Sequence, residues 1–134
     1  MKASELRIGN FISSCFPISV VIGIDDEGVI DTAYYEHGKG VDYTSEWHSN
    51  EGSINPIPLT EEWLVKLGYS DTNDEMYNGN IWMLGDDIHV SPVVSSTGIH
   101  GLLIYGYLKY FEYVYVHQLQ NLYHSLTGEE LTTK

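Results

Sequence analysis

Basic residues and cysteines are scarce in this chain of 134 residues. Six lysines and arginines stand against 19 aspartates and glutamates, which gives a formal net charge of −13. Contacts with nucleic-acid phosphates need clustered basic side chains, so the composition argues against direct nucleic-acid binding. The one cysteine, Cys15, excludes an intrachain disulfide and a cysteine-rich zinc site, and it favours a reducing cytoplasm. Its place in an apolar stretch predicts a buried side chain.

Long hydrophobic runs and the common catalytic motifs are lacking as well. The apolar stretch 11–24 is interrupted by serines and a proline and is too short to cross a bilayer. The polar start does not resemble a secretory signal. We find no nucleophile elbow, no HExxH zinc motif and no phosphate-binding glycine loop. The sequence therefore predicts a cytoplasmic, non-enzymatic binding protein with no membrane segment, no cofactor and no metal.

The sequence does contain a concentration of negative charge in its middle. Residues 25–75 hold 13 acids and two bases, a net charge of −11. Such a segment attracts basic surfaces, and tyrosine and tryptophan are favoured anchors of protein interfaces. We therefore predict a surface for a partner protein with a basic face. The candidate residues are Asp25, Asp26, Glu27, Asp31, Glu36, Asp42, Tyr43, Glu46 and Trp47.

Two alternative interpretations of these residues remain open. The carboxylates can serve solubility alone, as charged residues on loop tips commonly do. Trp47 falls in the segment 45–58, which we predict to be a connecting loop. An aromatic side chain in such a loop commonly packs into the core instead of contacting a partner.

Runs of β-branched and alternating residues predict strands in both halves of the chain. Asp25–Gly28 is a four-residue turn that would join two strands in a hairpin, and Asn78-Gly79 predicts a second hairpin between 75–77 and 80–84. The remaining candidate strands are 6–13, 18–24, 29–34, 41–47, 88–94, 99–105 and 110–115.

Two short helices are predicted between and after these strands. The first covers 61–67, with Thr60 as its N-cap and Leu59 and Leu64 as a hydrophobic staple. The second covers 116–126 and ends at Gly128. Its apolar stripe consists of Val116, Leu119, Leu122, Tyr123 and Leu126, and its other side carries His117, Gln120, Asn121 and His124.

Together these elements predict a single α+β domain over residues 1–134. We expect a mostly antiparallel sheet of about six or seven strands with two short α-helices. The N-terminal strands are expected to curl into a barrel-like unit.

The best local cluster for metal chemistry lies near residue 88. Asp87 and His89 point the same way if this segment is a strand, which leaves a metal-dependent enzyme as an alternative function. His117 and His124 are two helical turns apart, too far to share one ion without a further ligand.

Three stretches of the chain carry a resemblance to a known group of proteins. They are 1–10 (MKASELRIGN), 56–68 (PIPLTEEWLVKLG) and 115–131 (YVHQLQNLYHSLTGEEL). Together they resemble small proteins of Bacteroidetes phages and prophages, in which these three motifs surround a variable middle. His124 and Ser125 stand where that group usually has apolar residues.

The resemblance implies a phage origin and the cytoplasm of a bacterial host. It suggests an inhibitor of host defence, an anti-CRISPR protein that binds an RNA-guided CRISPR nuclease of the Cas13b type. Target specificity would then lie in the variable segments 25–55 and 71–98. The alternative within a phage setting is a nucleic-acid-binding or replication accessory protein.

Overall fold

The computed structural model describes residues 1–36, 38–71, 82–83, 90–95, 98–104, 109–112 and 115–133. Its strands are β1 (Phe11–Ile12), β2 (Ser19–Ile24), β3 (Ile30–Glu36), β4 (Gly40–Ser49), β5 (Ser70–Asp71), β6 (Trp82–Met83), β7 (Val90–Ser95), β8 (Gly98–Ile104) and β9 (Lys109–Glu112). Helix α1 (Glu61–Lys66) lies between β4 and β5, and α2 (Val116–Thr127) follows β9. The predicted α+β class with antiparallel strands and two helices is confirmed.

The predicted number of strands in one sheet and the barrel-like unit are wrong. The strands form two antiparallel sheets, of four strands in the order β1-β2-β3-β4 and of five in the order β5-β6-β7-β8-β9. In the first sheet β1 and β4 are the two edges, so the sheet is open. A barrel would need these edges to pair, but the outer edge of β1 is covered by α2, where Phe11 N–H donates to the side-chain amide of Gln120.

The predicted hairpin between β2 and β3 is confirmed. The Asp25 carboxylate closes the turn by accepting hydrogen bonds from Glu27 N–H and Val29 N–H, both at 2.9 Å. In the second sheet β6, β7, β8 and β9 lie within or close to the predicted strands 80–84, 88–94, 99–105 and 110–115, but β5 (Ser70–Asp71), which pairs with β6, falls at no predicted strand. The Asn78-Gly79 turn lies outside the described residues.

Helix α1 begins and packs as its sequence predicts. The Thr60 hydroxyl accepts from Trp63 N–H at 3.2 Å, and Gly68 after the helix has a φ of 92°. Leu64 and Leu67 are buried in the main core. That core joins the first sheet, α1 and α2, and it also includes Val90 of the second sheet.

A smaller cluster of buried hydrophobic residues lies on the opposite face of the first sheet. Its buried members are Leu6, Ile12, Val21, Ile30 and Ile54, with Met1 and Ala3 at its margin. Consecutive residues of a strand point to opposite faces, so Phe11 and Ile12 of β1 serve the two different clusters.

Helix α2 is more deeply enclosed than its sequence indicates. Val116, Leu119 and Tyr123 are buried as predicted, but His117 (3% exposed) and Gln120 (0% exposed) are buried too. We expected both on the polar side of the helix. They are buried because the N-terminal segment and the C-terminal tail cover that side of α2.

Gln120 connects three segments that are far apart in sequence. Its Oε1 accepts from Phe11 N–H at 2.8 Å, and its Nε2 donates to the carbonyls of Gly9 and Leu131, both at 3.0 Å. Each of these backbone groups would otherwise lack a partner away from water. The amide therefore fixes the start of β1 and the C-terminal tail to α2.

We expect Gln120→Leu to lower the free energy of unfolding by about 2–5 kcal/mol, since three buried backbone groups lose their partner at once. Urea denaturation followed by circular dichroism measures this change. Ser125→Ala, at an exposed position of the same helix, is the matched control. A loss below about 1 kcal/mol would contradict the role assigned to the amide.

Candidate binding surface on the first sheet

The nine residues predicted to bind a partner all lie on β3, β4 and the turn before β3. Asp25, Asp26 and Glu27 form the tip of the β2–β3 hairpin, and the others are on the two paired strands. Glu36 stands apart at the far end, beside the β3–β4 turn, where its carboxylate lies 3.3 Å from the ammonium group of Lys39. The sheet therefore brings the predicted residues into one region but not into one cluster.

Strand β4 carries a large bulge opposite β3. Thr32 pairs with Trp47 and Tyr34 pairs with Asp42, so one residue of β3 faces four of β4. Side chains replace the missing ladder bonds: Tyr34 N–H donates to the Ser45 hydroxyl at 2.9 Å, and Thr44 N–H donates to the Asp42 carboxylate at 3.0 Å. The bulge is thus held by its own polar residues, and it breaks the regular alternation of β4.

Two large aromatic residues are exposed on this strand. Tyr43, within the bulge, is 68% exposed, and Trp47, at its end, is 56% exposed. The interpretation of Trp47 as the core anchor of a connecting loop is wrong, because β4 continues to Ser49 and the indole faces solvent. Exposed aromatic rings of this kind are candidate anchors for a partner.

Three side chains with metal-binding atoms converge where β3 meets the end of β4. Asp31 pairs with His48 across the strands, and the Asp31 carboxylate is in direct contact with Nδ1 of His48. The Glu46 carboxylate completes a group whose ligand atoms all lie within 4.8 Å of one another. On the neighbouring strand, a Cβ at Gly23 would come to 3.0 Å from Oδ2 of Asp31, so glycine there leaves room for the carboxylate.

The surrounding carboxylates change the proton affinity of His48. The hydrogen bond to Asp31 and the charge of that carboxylate raise the pKa of His48, and the charges of Glu46 and Asp25 add to this effect. Asp25 of the hairpin turn is therefore near enough to act on the imidazole. The sequence prediction included Asp31 and Glu46 but missed His48, since only the register of β3 and β4 places it between them.

A second candidate region lies beside the start of α2. Nδ1 of the buried His117 has no hydrogen-bond partner among the described residues, and the His117 ring stacks on Tyr115 with 6.0 Å between ring centroids. Burial lowers the pKa of His117. A surface cavity of about 480 Å³ there is lined by Ser4, Glu5, His117, Gln118, Asn121, Leu122 and Ser125.

The other residues that the sequence analysis considered for metal binding or reactivity form no site among the described residues. Asp87 and His89 lie outside the described residues. Cys15 is exposed, contrary to our expectation, because the chain between β1 and β2 is an exposed turn at that point. His124 lies 3.8 Å from the Glu130 carboxylate near the end of α2.

No protein-family model, no curated protein and no solved structure matches this chain. Among the described residues, neither helix combines the length and apolar character that crossing a membrane requires.

The contact between Asp31 and His48 can be tested by titration. We expect the pKa of His48 to lie above its ordinary value of 6.5, because the carboxylate stabilises the imidazolium. Asp31→Asn should lower it towards that value. NMR detection of the His48 ring protons against pH measures both. An equal pKa in the two proteins would show that the contact does not form in solution.

The buried His117 predicts a pH dependence of stability. Its folded pKa is below the unfolded value of 6.5, so the unfolded state binds more protons as the pH falls through 6.5. The free energy of unfolding should therefore decrease from about pH 6.5 towards pH 5, and His117→Gln should flatten this slope. Urea denaturation at a series of pH values measures it, with Ser125→Ala as the control. An unchanged slope would contradict the assignment.

Proposed function

We propose that this chain is a non-enzymatic binding protein that docks a basic surface of another protein. The docking site is the β4 surface, which consists of Asp25, Asp26, Glu27, Asp31, Asp42, Tyr43, Glu46, Trp47 and His48. The observation that supports it best is the pair of exposed aromatic rings, Tyr43 and Trp47, on an edge strand among carboxylates.

The aromatic rings supply the affinity in this proposal. Burying a large aromatic side chain at an interface removes roughly 150–250 Å² from water. Such residues, placed near the centre of an interface, often account for most of the binding energy. Tyr43 is the first residue of the bulge of β4 and Trp47 directly follows the bulge, so a partner that binds along this edge strand would contact both rings.

The carboxylates supply the charge complementarity. Asp26, Glu27 and Glu46 are exposed, and Asp25 acts electrostatically on His48 between them. Together they give this end of the sheet a negative field that would steer a basic partner towards it. Lys39 is paired with Glu36 at the opposite end of the hairpin, away from this cluster.

The edge position of β4 adds a possible mode of contact. Within the described residues β4 pairs only with β3, so its outer edge presents backbone donors and acceptors. Extended segments of partners commonly bind such edges. The bulge divides the regularly paired part of β4 into two stretches, 40–42 and 47–49, which would limit the partner to a short strand.

The phage resemblance suggests the identity of the partner. A host-defence protein that handles nucleic acid has a basic channel, and the β4 surface would occupy it as a mimic of phosphate charge. An RNA-guided nuclease of the Cas13b type is the first candidate. In this version of the proposal, the chain inhibits the nuclease by competing with RNA.

The first test compares variants of the β4 surface in binding to that purified nuclease. We expect the double variant Tyr43→Ala, Trp47→Ala to weaken binding by at least about thirtyfold, as loss of an interface anchor does. Asp26→Asn, Glu27→Gln, Glu46→Gln should weaken it less and flatten its salt dependence. Calorimetry at two salt concentrations, in buffer with a chelator, measures both.

Two matched control variants remove the same types of side chain at positions outside the β4 surface. Ile8→Ala, Val65→Ala removes two exposed apolar side chains, and Glu61→Gln, Glu62→Gln, Glu129→Gln removes three exposed charges. Both controls should bind like the wild type. If the nuclease does not bind, quantitative capture from a host lysate with the same four variants replaces it. Partners that are retained equally by all variants would refute the β4 surface as the docking site.

A further inference from the structure

The cluster of Asp31, Glu46 and His48 combines ligand types that a transition-metal ion prefers. Carboxylate oxygens and imidazole nitrogens are ligand types that Zn²⁺ accepts, and water would complete the coordination of an ion bound by these three residues. The three ligand atoms lie within 4.8 Å of one another. Donor atoms bound tetrahedrally at about 2.0–2.2 Å to one ion are roughly 3.3–3.6 Å apart, so the exposed side chains would have to adjust to bring the set into range.

The two strands hold this donor set in a defined arrangement. Asp31 and His48 are direct cross-strand partners, and such pairs have their side chains on the same face of a sheet. Glu46 is the last residue of the bulge, and its carboxylate lies within 4.8 Å of the ligand atoms of the other two residues. Gly23, next to Asp31 on β2, leaves the space that the second carboxylate oxygen occupies.

The present contacts show what an ion would replace. Nδ1 of His48 and Oδ1 of Asp31 are joined by a hydrogen bond, so one proton lies between the two atoms. A divalent cation competes with that proton for the same lone pairs. The negative charge of Asp25 also acts on His48, and it favours a cation bound at this position.

We propose that Asp31, Glu46 and His48 bind one divalent transition-metal ion of the zinc type at the end of the β3–β4 pair. The ion bridges the two strands next to the bulge, and water molecules occupy its remaining positions. By binding residues of both strands, the ion holds the end of β4 that carries Glu46 and His48 against β3. This inference is independent of the proposed partner and does not require it.

The experiment is a calorimetric titration of the metal-free full chain with ZnCl₂ at pH 7.5. The wild type should bind one equivalent of Zn²⁺. Asp31→Asn, Glu46→Gln and His48→Gln should each weaken this binding by at least about tenfold. His124→Gln and Glu129→Gln, at positions outside the β4 surface, should bind like the wild type. Circular dichroism of each variant confirms that it is folded. NMR of the His48 ring in the same titration should show a shift at one equivalent.

Three outcomes would overturn the proposal. The first is that the wild type takes up no Zn²⁺ at millimolar concentration. The second is that the Asp31, Glu46 and His48 variants bind Zn²⁺ like the wild type, which would place the ion on other residues. The third is that only His48→Gln loses binding, which would remove the two carboxylates from the site.

Discussion

The buried amide of Gln120 is the interaction on which the arrangement of the first sheet depends. It joins α2 to the approach of β1 and to the C-terminal tail through three hydrogen bonds. Because α2 covers β1 in this way, the sheet has, as far as the structure describes the chain, one covered edge and one free edge. The free edge is β4, and its exposure is what makes a docking surface possible. A barrel closed by β1 and β4 would have removed that edge.

A free edge strand is also a risk, since it can pair with another copy of the chain. Proteins limit this risk with bulges and with charged residues along the edge. Strand β4 has both: the four residues of its bulge face one residue of β3, and the charged side chains of Asp42 and Glu46 are exposed along the strand. The features that disfavour unspecific pairing are therefore the same ones that would select a partner with basic residues and a surface for Tyr43 and Trp47.

Local signals in the sequence predicted the local structure well. The cap at Thr60 and the turn at Asp25 depend on residues close in sequence, and both are confirmed. The burial of Gln120 and the pairing of Asp31 with His48 depend on segments far apart in sequence, and no local pattern contains them. The acidic segment was singled out by its charge, whereas the bulge that exposes Tyr43 follows only from the register of two strands.

The two proposals for the β4 surface are connected by charge. An ion held by Asp31, Glu46 and His48 would neutralise two of the carboxylates that attract a basic partner. By linkage, the partner and the ion would then each weaken the binding of the other by the same factor. The aromatic rings carry no charge and lie outside this competition, so the contribution of Tyr43 and Trp47 would persist when the ion is bound. On these proposals, the charged part of the surface would respond to divalent ions and the aromatic part would not.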